Sequence, residues 1–530
     1  MNTLIFDIPR NQSVKATESL FRQHFHLRKQ VDRVTTRTYL DTFDWRVFKS
    51  GGVLEAESDK TGIWLTWRSL GADQVYGRYP VTRIPRFVSD LKVTGFRKRL
   101  EKVLGVRAMV PIVNVQSRSH VFTVLNLQAK TVLRIEIQSD RAPYQSGGKS
   151  RIRRKAMLGS RIHVFPMKGY EKTVDNACTV LQEKCHLIPA VTDPVLTALA
   201  AIGCEPGIVS QKPTVADPVQ RTDTTAKYIF RHLLETMVQN ENGVRQEIDS
   251  EFLHDFRVAV RRTRSLLVQM NNVLSRQRIS GFSREFSWLG KVTGPSRDMD
   301  VYLLSFDSFK LLLPKEMRKD LMPLQEFLGR HRVTEYQRLI RVLDSERYRL
   351  LKRNWKRFLG LPPPKRLSLQ NAGRPIIDVA SEKIWHVYRK AINQGNLILP
   401  EAPATSLHQL RKTCKKLRYL IEFFQDLYKK NKVSRLINSL KVLQNNLGEY
   451  QDLVVQQITI KKFIHAMEEE TGLTDNTRNA MEMLVFRLEQ RNLRVRMEFA
   501  ERFSEFSSPA NHKLYRQIFT TQKKPYGGTR

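Results

Sequence analysis

One duplication constrains what the second half of this chain can fold into. His254-Asp-Phe-Arg257-Val-Ala-Val-Arg261-Arg262-Thr-Arg264 returns as His408-Gln-Leu-Arg411-Lys-Thr-Cys-Lys415-Lys416-Leu-Arg418, at an offset of 154 residues. The same offset carries Gly294, Asp298 and Val301 onto Gly448, Asp452 and Val455, so the copies hold register from 254 to 301 without a gap. The apolar positions follow as Leu253/Leu407, Phe256/Leu410, Val260/Cys414, Leu266/Leu420, Leu267/Ile421 and Met270/Phe424. A period this long excludes a solenoid of short repeats and predicts two related helical bundles.

On a helix the motif forms a stripe. With His254 at zero, Arg257, Arg261 and Arg264 fall at roughly 300°, 340° and 280°, while Arg262 lies off the stripe at roughly 80°. The apolar set spans about 120° to 260°, so the cations adjoin the buried face rather than oppose it. His408, Arg411, Lys415 and Arg418 repeat the stripe, with Lys412 close beside it. Like charges one turn apart repel, and a multivalent anion offsets that cost. Guanidinium forks match phosphate oxygens, lysine adds a point charge, and histidine can donate. Asp298 and Asp452, read here as lying on a GxxxD stretch that follows a helix, are expected to orient a cation or close the rim. A solvated charged face is the bland alternative for any one stripe; the matched pair argues for a binding site.

Charge supports a polyanionic partner. The 530 residues carry 90 Lys and Arg against 52 Asp and Glu, a formal net charge of +38. Residues 1–220 hold 34 basic and 19 acidic side chains and residues 221–530 hold 56 and 33, so the excess is no local tail. At 41% hydrophobic residues the chain can build real cores, which excludes wholesale disorder. No run of 18 apolar residues predicts a membrane span, and MNTLIFDIPRNQ lacks the layout of a signal peptide. Cys178, Cys185, Cys204 and Cys414 form no CxxC pair, so neither a zinc module nor a disulfide framework is expected. The reading is a cytosolic protein with no cofactor and no metal.

Two stretches read as linkers, EPGIVSQKPTVADPVQRT at 205–222 and LPPPKRLSLQNAGRP at 361–375, the second opening on three prolines. Before the first, TRTYLDTF, GIWLTWRSL and TVLRIEIQ read as strands, with helices over 12–29 and 171–187. After it, three- and four-residue apolar steps predict helices over 225–240, 250–275, 318–358, 376–394, 405–430, 433–447 and 477–506. The fold class is α+β multidomain. The predicted order is a domain over 1–204, the 205–222 linker, a helical domain over 223–520 and a tail over 521–530. The helical domain divides into repeat one, 223–360, and repeat two, 376–520.

Both motif copies, H-x-x-R-x-x-x-[RK]-[RK]-x-R, resemble the CHAD family, as does the following stretch with Arg297, Asp298 and Asp300, and with Gln451 and Asp452. The resemblance spans about residues 220–520. It implies two pseudo-symmetric four-helix bundles with a basic channel between them, a polyphosphate ligand and, for some members, residence on polyphosphate granules. His254, Arg257, Arg261, Arg262, Arg264, Arg297, His408, Arg411, Lys412, Lys415, Lys416 and Arg418 are then the expected polyphosphate ligands. Arg349, Lys352, Arg353, Lys356 and Arg357, and Arg487, Arg491 and Arg494, are further basic positions that a solvated face explains equally well.

The first domain resembles the CYTH family, an antiparallel β-barrel tunnel that hydrolyses triphosphates with a divalent metal. TYLDTFDWRVFKSGGVLEAE and GIWLTWRS carry that resemblance. The departures are chemical. MNTLIFDI stands where the ExExK signature belongs, Glu55 and Glu57 replace the arginines of LRxR, and RIHVFPMKGYE lacks an acidic pair; Glu136 is a lone acidic position. Carboxylates to hold the ion and cations to hold the phosphates are both missing, so a tunnel without hydrolysis is expected, with Arg68, Arg78, Arg83 and Arg134 as possible lining.

Four functions follow. The first is polyphosphate binding; the second is weak, non-specific nucleic-acid binding; the third is a residual metal-dependent triphosphatase; the fourth is a structural protein coating storage granules through other partners. The stripe helices interleave no aromatic residues for base stacking, and no RRM, KH, zinc-finger or HTH signature is present. Replacing Arg257 and Arg411 by Ala is expected to weaken polyphosphate binding and leave the fold intact.

Overall fold

The computed structural model describes residues 4–9, 11–71, 74–92, 94–144, 154–207, 213–270, 272–363, 369–399 and 401–520. The predicted tail, 208–212 of the first predicted linker and 364–368 of the second lie outside the described residues. The chain divides into two compact units, Met1–Gln211 and Lys212–Arg530.

The first unit is built on one antiparallel sheet. Its strands are β1 (Leu4–Asp7), β2 (Leu27–Lys29), β3 (Arg33–Asp41), β4 (Gly52–Asp59), β5 (Gly62–Ser69), β6 (Val75–Val81), β7 (Val110–Leu125), β8 (Thr131–Tyr144), β9 (Arg154–Pro166) and β10 (Ile188–Pro189). They run in the order β10-β1-β9-β8-β7-β3-β4-β5-β6, with β2 paired to β7. Five helices join them: α1 (Val14–His24), α2 (Arg46–Lys49), α3 (Thr94–Leu104), α4 (Glu171–Glu183) and α5 (Pro194–Ala201). The helix predicted over 12–29 stops at His24 because β2 takes 27–29.

Side-chain alternation sorts the sheet's two faces. On one, Leu54, Ala56 and Leu65 pack against Phe96, Leu100 and Leu104 of α3. Further along that face, Phe122, Ile135, Ile162 and Val164 pack against Phe21 of α1 and Leu181 of α4. On the other face Tyr39, Val53, Val113, Val115 and Ala142 receive Val195, Ala198 and Leu199 of α5. Pro194 opens α5, and the Asp193 carboxylate caps it by accepting from Val195 N at 3.0 Å.

The second unit is helical. Its first repeat holds α6 (Thr222–Arg245), α7 (Ser250–Gln269), α8 (Arg276–Val292), α9 (Gly294–Leu312), α10 (Met322–Asp344) and α11 (Glu346–Gly360). The second holds α12 (Ile376–Asn396), α13 (Ala404–Phe424), α14 (Lys430–Thr471), α15 (Asp475–Met497), α16 (Phe499–Ser507) and α17 (Pro509–Phe519). Two of the first repeat's rods are interrupted. Thr293 separates α8 from α9, and Ser345 separates α10 from α11 with extended backbone and an Oγ that accepts from Tyr348 N. Counting each interrupted pair as one rod leaves four rods in the first repeat. In the second, α12 to α15 are the four, followed by two short helices.

These interruptions account for the boundary errors. The single helix predicted over 318–358 is two. Between 276 and 312 the periodicity predicts no helix, yet α8 and α9 fill it; Gly281, Gly290 and Gly294 dilute the apolar period there. The helix predicted over 433–447 runs on to Thr471, because Gly448 lies inside α14 without ending it.

The candidate polyanion-binding groove

The motif helices bury the face their spacing predicts. Leu253, Phe256, Val260, Leu266, Leu267 and Met270 of the first copy are buried, as are Leu407, Leu410, Cys414, Leu420, Ile421 and Phe424 of the second. Asp249 starts α7 by accepting from Glu251 N and Phe252 N. The stripe lies at the edge of this core. His254, Arg257, His408, Arg411, Lys415 and Arg418 are half-buried, and Arg261, Arg264, Lys412 and Lys416 are exposed.

The two copies bond differently. Pro295 has no N–H and cannot continue the helical ladder, so α8 ends and α9 begins at Thr293. Arg257 caps that break, donating to Gly290 O at 3.0 Å and to Thr293 Oγ1 at 2.7 Å. Arg297 donates to Ser250 O at 3.0 Å. In the second copy Glu449 stands in place of Pro295, and α14 is unbroken. Gln444 replaces Gly290; its Nε2 donates to Cys414 O at 2.6 Å and its Oε1 accepts from Arg418 at 3.3 Å. Arg411 therefore has no break to cap. It reaches Asp452 at 3.3 Å, and its Nε is buried with no hydrogen-bond partner among the described residues. His408 Nδ1 lies 2.5 Å from Gln451 Oε1.

Asp298 and Asp452 lie inside helices α9 and α14, not on a stretch following a helix as the spacing suggested. Asp300 leaves the groove altogether: it is buried and accepts from Arg332 Nε at 2.8 Å and Tyr336 OH at 2.6 Å.

The two copies touch each other. Arg262, the cation off the stripe, donates to Glu422 and lies over the rings of Tyr419 and Phe423. Glu422 also accepts from Arg418 Nε at 2.6 Å. Tyr302 of α9 packs on Phe463 of α14 with ring centroids 5.3 Å apart. The cations between these contacts are crowded. Burial, with Arg411, Arg261 and Arg418 nearby, lowers Lys415 to about 8 against the opposing pull of Asp452. Burial also lowers Arg257; Asp298 opposes that, and Arg261, Arg297 and Arg264 add to it. Burial and Arg297 push His254 below the ordinary imidazole range, despite Glu251 and Asp255. The field is more positive than its own side chains accommodate.

Beside the second stripe lies a cavity of about 560 Å³ lined by Arg411, Lys415, Arg418, Gln444 and Arg491 among others. Of the outlying basic positions, Lys352 is bonded to Glu241 at 2.6 Å, Arg491 to Glu449 at 2.6 Å, and Arg349 lies 3.7 Å from Glu346. Arg353, Lys356, Arg357, Arg487 and Arg494 are exposed.

In the first unit, the α5 face of the sheet is polar beyond that helix and neutralises itself. Arg37 lies 3.4 Å from Glu57 and 3.9 Å from Glu55. Arg33 also pairs with Glu57, at 3.1 Å. Arg68, almost fully buried, makes a bidentate pair with Asp193 at 2.6 and 3.0 Å and reaches Glu55 at 3.4 Å. Burial opposes the charge on Arg37, but Glu55, Glu57 and Asp140 outweigh it and hold the guanidinium protonated. Burial, with Arg37 and Arg161, drops His163 to about 4. Arg78 stacks over Trp64 and is 4.0 Å from Glu57, whereas Arg83 and Arg134 are exposed.

Residues 228–461 match the family model for the CHAD domain. This segment is a CHAD domain. It takes in both motif helices and most of α14. A CHAD domain structure from the plant Ricinus communis is similar at 22% identity over 56% of this chain and 96% of its own, with a TM-score of 0.47. PptA from Streptomyces chartreusis is similar at 14% identity over 54% of this chain and 99% of its own, TM-score 0.43. A candidate adenylyl cyclase from Hippeastrum, described as having a dominant triphosphatase activity, is similar at 11% identity over 38% of this chain and 95% of its own, TM-score 0.26. No curated protein matches the chain.

Two residues of the CHAD domain groove escape a reading of the motif alone. Gln444 has no counterpart side chain in the first copy, where Gly290 occupies its place. Glu422 was open to detection as the i,i+4 partner of Arg418, but its second partner, Arg262, lies 160 residues away.

Proposed function

We propose that the CHAD domain binds inorganic polyphosphate in the groove between its two repeats, does no chemistry on it, and associates with polyphosphate granules. The observation that carries this reading is the crowding at Lys415, whose charge is made costlier by burial, by Arg411 on its own helix and by Arg261 from the other repeat. A flexible chain of phosphates relieves that repulsion along its whole length, with guanidinium and ammonium groups contacting successive units. The family match supports the ligand class.

The first unit contributes no hydrolysis in this proposal. Its residues do not fit a divalent cation: Glu55 and Glu57 are engaged by Arg37, Arg33 and Arg68. Among the described residues no group of three or more His, Cys, Asp or Glu is placed to hold a metal ion. Nor is any described helix long and apolar enough to cross a membrane.

The test is competition between long-chain polyphosphate and single-stranded RNA of matched charge, at about 150 mM salt, where exposed charges are largely screened beyond ~8 Å. A strong preference for polyphosphate, reduced by Lys415→Met, is expected. Equal affinity that ignores the substitution would overturn the reading in favour of a general polyanion surface.

A further inference from the structure

The two stripes match in sequence but not in their availability to a ligand. In the first repeat Arg257 is occupied at the α8–α9 break and Arg297 is occupied on the Ser250 carbonyl. In the second, the unbroken α14 leaves Arg411 without a capping duty and its buried Nε unpartnered. Lys415 has neither a hydrogen bond nor an ion pair among the described residues, although it is half-buried. Both line the cavity of about 560 Å³, to which α9 contributes Ser305 and Ser308 and Gln444 adds an amide. Comparable volumes hold whole small ligands in other proteins. Two acids at the edge, Asp452 and Glu449, are already paired with Arg411 and Arg491.

Resting on the polyphosphate reading above, we propose that this second-repeat cavity is a self-sufficient subsite for a short linear inorganic oligophosphate, of the size of triphosphate, with Arg411, Lys415 and Arg418 as its cationic wall. A long chain starts or ends here and runs on along the first repeat; a short one fills the cavity and needs no more. Lys415 and the buried Nε of Arg411 bind without first giving up an internal bond, whereas Arg257 must release the helix end to engage phosphate and Arg418 must share its bonds to Glu422 and Gln444. The second repeat, whose Lys415 is half-buried, unbonded among the described residues and lines the cavity, therefore anchors the ligand, and the first, whose Arg261 and Arg264 are likewise unbonded but exposed outside it, extends the contact.

The experiment is calorimetric titration of the full chain with tripolyphosphate, without metal, beside the same titration with long-chain polyphosphate. Lys415→Met and Arg264→Met each remove one cation, from the second and the first repeat respectively. Tripolyphosphate is expected to bind one to one. Lys415→Met should weaken it at least about tenfold, as expected for a lost hydrogen bond to a charged group, while Arg264→Met changes it by less than about threefold. Long-chain polyphosphate should be weakened by both. If the long chain binds and tripolyphosphate does not, the subsite is not self-sufficient, and the polyphosphate reading survives without it. Equal losses of tripolyphosphate in the two variants would show that the site spans both repeats and overturn the inference. If neither ligand binds the unaltered chain, both readings fall. The comparison of ligand lengths on the unaltered protein stands even if a variant folds poorly.

Discussion

Arg261 of α7 and Lys415 of α13 hold the same place in their own repeats, 154 residues apart, and stand close enough in the folded chain to repel each other. Burial first, then Arg411 and this repulsion from Arg261, lower the lysine to about 8. The lowered value gives the groove a pH dependence. Below that value Lys415 is charged; above it the ammonium is lost and one phosphate contact with it. The groups facing it are Arg411 and Arg418 on its own helix, Arg261 on α7 and Asp452 on α14. Polyphosphate affinity is expected to fall between about pH 7 and 9, with proton uptake on binding near pH 8.5, because lysine moves back toward its usual ~10.4 when an anion arrives. Titration in buffers of different ionisation enthalpy measures the uptake. Lys415→Arg should remove it, since guanidinium stays charged throughout; a pH profile unchanged by that substitution would assign the effect elsewhere.

Salt sets the second expectation. If about six phosphates are contacted, log K falls with log salt at a slope near −4, using the single-strand coefficient of ~0.7 per phosphate. Lys415→Met should reduce the slope by about 0.7. Affinities at several salt concentrations decide this, and a flat dependence is incompatible with an ionic groove.

Arg257 and Arg411 occupy equivalent positions and should respond differently to Ala. Arg257→Ala strips the cap from the α8–α9 break and leaves Gly290 O short of a donor; a loss of about 1–3 kcal/mol in folding stability is expected. Arg411→Ala removes only the contact to Asp452 at 3.3 Å, a surface pair contributing about 0–1 kcal/mol. Its effect should appear in ligand affinity. Chemical denaturation of the two variants, beside their polyphosphate affinities, separates the roles. The motif alone predicts that both substitutions spare the fold; the geometry predicts that outcome for Arg411→Ala and a destabilised fold for Arg257→Ala.

In the first unit Asp193 joins α5 to the sheet through Arg68 and caps α5 as well. Asp193→Ala leaves a buried guanidinium without its main partner, a change that typically costs about 3–5 kcal/mol. Scanning calorimetry of the full chain should show a lowered transition. With triphosphate and Mg²⁺ or Mn²⁺, the unaltered chain should release phosphate no faster than buffer. Release that tracks enzyme concentration would restore the hydrolytic reading.

The helical repeats were legible because two copies of one pattern confirm each other: chance does not preserve apolar and cationic positions at a constant offset. The stripe's place beside the core follows from the same spacing. What the copies do separately was harder to see. A proline at 295 against a glutamate at 449 changes a helix into two, and with it the duty of Arg257, but periodicity averages over such a difference. The off-stripe angle of Arg262 was readable; its partner Glu422 was not, since Val268 holds the matching position in the first copy. In the first unit Glu55 and Glu57 stood out as departures from the arginines expected there. That they act as counterions for Arg37 and Arg33 depends on register between β3 and β4, which pairs Tyr39 with Glu55 and Arg37 with Glu57. The link from Arg68 to Asp193 spans 125 residues and leaves no local trace.

The 42 residues of α14 form an uninterrupted strut about 63 Å long, while α8 and α9 meet at a joint. One side of the groove is thus an anvil and the other a jointed jaw. Bending α14 means breaking backbone hydrogen bonds along it, whereas α8 and α9 meet at Thr293, which bonds back to Leu289 O and accepts from Arg257. A ligand that pulls Arg257 toward itself loosens that joint in the same act. Grip on the chain and capping of the α8 end then compete for a single arginine.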